Sequence, residues 1–245
     1  MTKEALAKQQ QSITQVPDYL RGRLGDRVGS ENVTKDDLLI PRLGVAQSLS
    51  PQLKKSQDGY IPGLEVGDLF NTVTGEVYGK EVTVVPLFFL RNFIEFKPIE
   101  EGGGVVKMYD RVEDVPLTDL AFIDGKKPKV TEFKSRVCLL VQDGRGPEPI
   151  VVSFKSSGMK TARKWNSLIQ MLDLPAYARA YRLEAVTRVK GQQEWEGLNV
   201  LPLDFVPQDF FLAAERMFNE LKGQGVRIDT TGLVDEQPTA EPVPF

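Results

Sequence analysis

The feature that most constrains the fold is a period of two along Arg179 to Lys190. Tyr181, Leu183, Ala185 and Val189 fall on one side of an extended chain, and Arg182, Arg188 and Lys190 on the other. Gly191-Gln192 then marks a tight turn, and Glu194 to Leu203 reads as a returning strand, so the segment predicts a β-hairpin. A lone hairpin is marginal in water, so this one needs further strands or a helix to bury its apolar face. Both are supplied upstream. Glu132 to Gln142 and Ile150 to Lys155 read as strands around a Gly144-Arg145-Gly146-Pro147 turn. Ser156 to Leu172 reads as a helix, with Ala162, Trp165, Leu168, Ile169 and Leu172 inside one arc of about 120°.

Earlier strand material spans Asp68 to Val73 and Glu81 to Lys97, separated by a turn at Thr74-Gly75-Glu76. Residues 98–129 carry Gly102-Gly103-Gly104, Asp124-Gly125 and several prolines without periodicity, which predicts an inserted loop or a long hairpin excursion. A last amphipathic helix is expected over 207–222. Pro207 suits its first position, Gly223 its stop, and Phe210, Ala214, Met217, Phe218 and Leu221 form its apolar stripe. Residues 1–32 read as a polar arm, 33–228 as a single domain, and 229–245 as an acidic tail. The class is mainly β with helical additions, and one substantial core suits 245 residues. No run approaches the ~18 to 20 apolar residues of a membrane span. The polar N-terminus lacks a signal peptide's apolar stretch, so a cytoplasmic location is expected.

The residue inventory excludes much chemistry. Histidine is absent, which removes His-dependent triads and most zinc or iron sites. Cys138 is the one cysteine and lies in the apolar run Val137 to Val141, as a buried, inert thiol would. There is no GxxxxGK[ST] loop and no dinucleotide-binding glycine pattern between a strand and a helix. Asp36-Asp37 and Glu100-Glu101 lie in polar, turn-like contexts rather than apolar ones. The expectation is binding rather than turnover, with no cofactor and no metal.

The net charge of −3 conceals an asymmetry: residues 126–190 hold fourteen Lys or Arg against five Asp or Glu. From 229 onward the chain has Asp229, Asp235, Glu236 and Glu241 and no base, and it ends in Val243-Pro244-Phe245. A free carboxylate beside a Phe ring held by Pro244, with Asp235, Glu236 and Glu241 upstream, suits capture by a basic-rimmed apolar pocket. This ending resembles the acidic tip, finishing in Pro-Phe, of bacterial and tailed-phage single-stranded-DNA-binding proteins (SSBs). The order of elements from about Glu65 to Leu203, a helix between strands and then a closing hairpin, is compatible with an OB-type β-barrel. The chain departs from that pattern in its N-terminal arm, in the helix before the tail, and in the tail's fewer acids. The resemblance implies sequence-independent binding of single-stranded DNA in phage replication or recombination. It also implies recruitment of replication or recombination proteins through Asp235, Glu236, Glu241, Pro244 and Phe245. A homo-oligomer is compatible with it.

Three stretches carry residues suited to such binding. Lys160, Arg163 and Lys164 lie within about 100° on the helix side opposite Trp165, either as phosphate contacts or as an ordinary solvated face. In the strand 81–97, alternation sets Phe88, Leu90, Ile94 and Phe96 apart from Phe89, Arg91, Phe93 and Lys97. The second set interleaves rings and cations as single strands require, unless Phe89 and Phe93 pack beneath the 98–129 excursion. The hairpin cations Arg182, Arg188 and Lys190 are joined by Lys134 and Arg136 on an earlier strand and by Lys155 at the end of the next. Trp195, near the turn, reads as a stacking ring or as a packing residue. A rival reading is a virus-encoded interaction protein, either a virion component or a host-factor inhibitor, that does not bind nucleic acid.

Overall fold

The run Val82-Thr83-Val84-Val85-Pro86-Leu87-Phe88-Phe89 has too many β-branched and aromatic residues for a helix. In the computed structural model, which describes residues 39–98, 103–120, 128–142 and 145–224 together with Tyr19, Gly22 and Val28, it lies in the longest strand. That strand, β4 (Glu81–Phe96), follows three short ones, β1 (Leu43–Val45), β2 (Leu69–Asn71) and β3 (Val77–Gly79). After it come β5 (Val105–Tyr109), a short helix α1 (Leu117–Leu120), β6 (Val130–Val141), β7 (Glu148–Phe154) and helix α2 (Met159–Gln170). The hairpin β8 (Arg179–Lys190) and β9 (Gln193–Phe205) and the helix α3 (Gln208–Gln224) complete the order. The chain is mainly β with a few helices. The expected arm 1–32, apart from those three residues, and the tail 229–245 lie outside the described residues.

Strands β1, β2 and β3 form a small antiparallel sheet. The large sheet runs β7-β6-β4-β8-β9, with β5 added along the far half of β4. The two sheets are not closed into a barrel. They are tied at both edges, however. Arg42 makes a parallel bridge to Val151 on β7, and the Gln47 side-chain amide bonds both ways with the Glu196 backbone on β9, each at 2.8 Å. Gly44 is required where β1 crosses β2, because a Cβ there would meet the Phe70 ring at 2.5 Å.

Alternation gives the large sheet two apolar faces. Val82, Val84, Cys138, Leu140, Val152 and Leu183 face one core, closed by Trp165 and Ile169 of α2 and by Leu43 and Leu69 of the small sheet. Val85, Leu87, Val137, Leu139 and Val151 face a second core, covered by Phe210, Ala214, Met217, Phe218 and Leu221 of α3. The apolar stripes expected for both helices therefore face these cores, except Leu172, which lies past the end of α2. Helix α3 runs on through Gly223 to Gln224, past the stop that the glycine suggested.

In β4 the pairing with β6 slips between Pro86 and Phe88. Proline has no N–H to give a ladder, and within a sheet interior it belongs at such a bulge. The extra residue inverts the parity of the strand. Val85 and Leu87 face the α3 core before it, and Phe88 and Leu90 face the same core after it. Phe89, Arg91 and Phe93 are thereby turned to the α2 side. Of the two forms expected for 98–129, the described residues show the hairpin excursion. Strand β5 returns onto β4, and a 3-10 turn, Val112–Asp114, and α1 follow it.

Candidate nucleic-acid interface

On the α2 side the cross-strand register puts Phe89 opposite Arg136 and Arg91 opposite Lys134. Cross-strand neighbours share a face, so two rows of β4 and β6 build one ledge of a ring and three cations. The Phe89 ring is 38% exposed and lies 5.5 Å from the Arg136 guanidinium. Arg91 donates to Glu132 at 2.7 Å, and Lys134 lies 3.8 Å from the same carboxylate. Two cations thus share one acid.

Phe93 lies 5.0 Å from the Arg91 guanidinium of this ledge but offers almost no ring surface to solvent. It is 3% exposed and packs with Tyr109, Val115 and Val130 under the returning excursion. The packing alternative applies to Phe93 and not to Phe89, because β5 pairs with β4 only from Phe93 onward and sets Tyr109 beside Phe93. Lys97 is exposed beyond the end of β4.

Arg136, expected among outward cations, is buried, with 7% of its surface exposed. Its Nη2 donates to Asn166 Oδ1 at 2.6 Å, and its guanidinium also lies 5.5 Å from the Trp165 ring. No carboxylate pairs with it among the described residues, and its Nε has no acceptor. Burial lowers its pKa, and Cys138 and Tyr181 oppose that shift only in part. Trp165 Nε1 and Tyr181 Oη, in contiguous side chains, are likewise buried without a hydrogen-bond partner. Three polar groups of one neighbourhood thus carry unsatisfied donors. Native structures contain few such groups, so each one points to a cause.

Lys160, Arg163 and Lys164 are exposed on α2, and among the described residues none of them pairs with an acid. Arg163 lies one turn before Asn166 and so borders the ledge, whereas Lys160 and Lys164 lie farther round the helix. Lys155, between β7 and α2, has its Nζ 6.0 Å from the Phe133 ring.

The hairpin cations do not join the Phe89 ledge. Arg182 points away from Tyr181 and Leu183, and its Nη1 lies 3.8 Å from Glu81 Oε2. Arg188 has a structural task. It lies over Gly197 and donates to the Leu198 carbonyl at 3.0 Å and to Thr161 Oγ1 at 3.3 Å, fastening α2 to the sheet edge. Lys190 is exposed at the hairpin tip, and Trp195, opposite Arg188, is half-buried. Asn166 and Glu132 were missed in the sequence. Asn166 borders the apolar arc of α2, and Glu132 shares its parity with Lys134 and Arg136, which was the available signal. Asp235, Glu236, Glu241, Pro244 and Phe245 lie outside the described residues.

Fold and face together define an antiparallel two-sheet protein whose α2 side sets cations around an exposed ring. The chain matches the model of the Pam3 phage gp34-like protein family over residues 7–227 and belongs to that family, which makes it a phage protein. No curated protein and no solved structure matches it. Among the described residues no helix is long and apolar enough to cross a membrane, and no group of three or more His, Cys, Asp or Glu is placed to hold a metal ion.

Proposed function

We propose that this protein binds single-stranded DNA without sequence preference, as an SSB-like protein acting in the host cytoplasm during phage replication or recombination. The observation that carries the reading is the ledge on the α2 face: an exposed Phe89 ring beside Arg136, in register with Arg91 and Lys134 and bordered by Asn166 of α2. Aromatic rings stack on any base, and cations follow the backbone, so rings among cations suit a single strand. A helix between β7 and the closing hairpin supports kinship with an OB-type barrel whose ladder is left open. The acidic tail, through Phe245 and its upstream carboxylates, recruits replication or recombination proteins.

Titration of a labelled dT oligonucleotide at several salt concentrations tests this. Log K is expected to fall linearly with log salt, at about −0.7 per phosphate contacted. Undetectable binding at low salt, or a flat salt response, removes the reading and leaves the virus-encoded interaction protein in its place.

A further inference from the structure

The DNA-binding reading leaves unexplained why the most central cation of the ledge is buried without an acid. A guanidinium taken out of water is costly unless an opposite charge and hydrogen bonds compensate it. Elsewhere in the fold that compensation is present: buried Asp68 has Lys80 at 3.1 Å. Arg136 has one neutral amide oxygen and two ring faces. Its Nε has no acceptor, and Trp165 Nε1 and Tyr181 Oη beside it lack partners too. The local imbalance is an excess of donors and positive charge; the three orphan atoms are sealed from solvent, and the exposed part of the Arg136 side chain is what an anionic oxygen can reach.

We propose that Arg136 is a phosphate anchor: one phosphate group seats against its guanidinium at the edge of the Phe89 ring, beside Asn166, and is held more tightly than the phosphates tracking Lys160, Arg163 and Lys164. The proposal rests on the single-strand reading for the origin of the phosphate, a phosphodiester of the bound strand, whereas the chemistry itself is that of any phosphate. It divides the interface into one fixed point and a loosely tracked remainder. The base stacked on Phe89 and the phosphate on Arg136 then belong to neighbouring positions of one strand.

The test uses the full chain in a Trp195→Phe background, so that emission reports Trp165, 5.5 Å from the anchoring guanidinium. Inorganic phosphate and a dT oligonucleotide are titrated separately against this protein and its Arg136→Met derivative, with melting curves for both. Both ligands are expected to shift Trp165 emission in the parent. In Arg136→Met the phosphate response is expected to vanish, oligonucleotide affinity to fall about tenfold, and the salt slope to become shallower by about 0.7, one phosphate's worth. The melting temperature of Arg136→Met is expected to equal or exceed the parent's, since an uncompensated charge has gone.

An oligonucleotide that binds while Trp165 emission stays unmoved in the parent overturns the anchor and leaves DNA binding intact, whatever the variant does. So does an Arg136→Met protein with the parent's affinity and slope. Phosphate that shifts Trp165 emission in the parent but not in Arg136→Met, with no oligonucleotide binding, keeps the anchor for free phosphate and removes the DNA reading.

Discussion

Replacing Phe93 and Phe89 by Ala, one at a time, separates the core of β4 from its binding surface. Phe93 is 3% exposed, with Tyr109, Val112, Val115 and Leu120 around it. Removing its ring forfeits the transfer free energy and leaves a cavity, for a loss of ~3–5 kcal/mol. With a urea dependence of about 3 kcal/mol per molar, the unfolding midpoint is expected to drop by about 1 M or more. Phe89 is 38% exposed, and its ring makes a cation–π pair with Arg136. Its truncation is expected to cost only about 1 kcal/mol of stability. On dT oligonucleotides the order reverses. Phe89→Ala loses one stacking platform, ~1–3 kcal/mol or about 5- to 150-fold in affinity, with little change in salt slope because stacking releases few ions. Urea unfolding by circular dichroism and fluorescence titration measure both quantities on the same preparations. A Phe93→Ala protein with the parent's midpoint, or a Phe89→Ala protein with the parent's affinity, refutes the assignment of the two rings.

Burial pushes the Cys138 thiol up to about 12. The folded state therefore keeps a proton that the unfolded chain gives up, and stability is expected to fall as pH rises from about 9 toward 12, traced by unfolding midpoints against Cys138→Ala. The same burial should leave the thiol unreactive toward a disulfide reagent until urea unfolds the chain. Gly197→Ala places a Cβ 2.5 Å from Arg188 Nε. It should displace that guanidinium from Leu198 and Thr161 and cost ~1–2 kcal/mol, and Arg188→Ala in the same chain should cancel most of the clash in a double-mutant cycle. Deleting Asp235 to Phe245 is expected to leave the melting temperature unchanged and oligonucleotide affinity equal or higher at low salt, while capture of replication or recombination proteins from extract is lost. Capture by the truncated protein at the intact level counts against the tail's role.

Elements with a clean period were legible from the chain. The β8–β9 hairpin and both long helices lie within a few residues of their expected bounds, because one buried face writes itself into the spacing of Tyr181 and Leu183, of Trp165 and Ile169, and of Ala214 and Phe218. Features that depend on distant segments were not. Nothing local to Phe93 says that Tyr109 will cover it while Phe89 stays open, since that follows from where β5 joins β4. Arg136 carries the same alternating pattern as Lys134. It is buried because α2, packed over the sheet, lays Trp165 and Asn166 across it. Alternation rightly set Arg182 apart from Tyr181 and Leu183, but that side of β8 faces away from α2, which no local pattern says.

The Gln47–Glu196 amide bonds join positions 149 residues apart in the chain. At ~5–20 residues per second, a ribosome needs roughly 7–30 s between making one partner and the other. Through that interval the β1-β2-β3 sheet has neither β9 nor the complete first core to rest on. The last strands must emerge before the first ones can be sealed. Completion of this fold therefore follows synthesis of the C-terminal hairpin, and a nascent chain stalled before Glu196 should remain protease-sensitive at Leu43 and Leu69, residues that are buried in the finished protein.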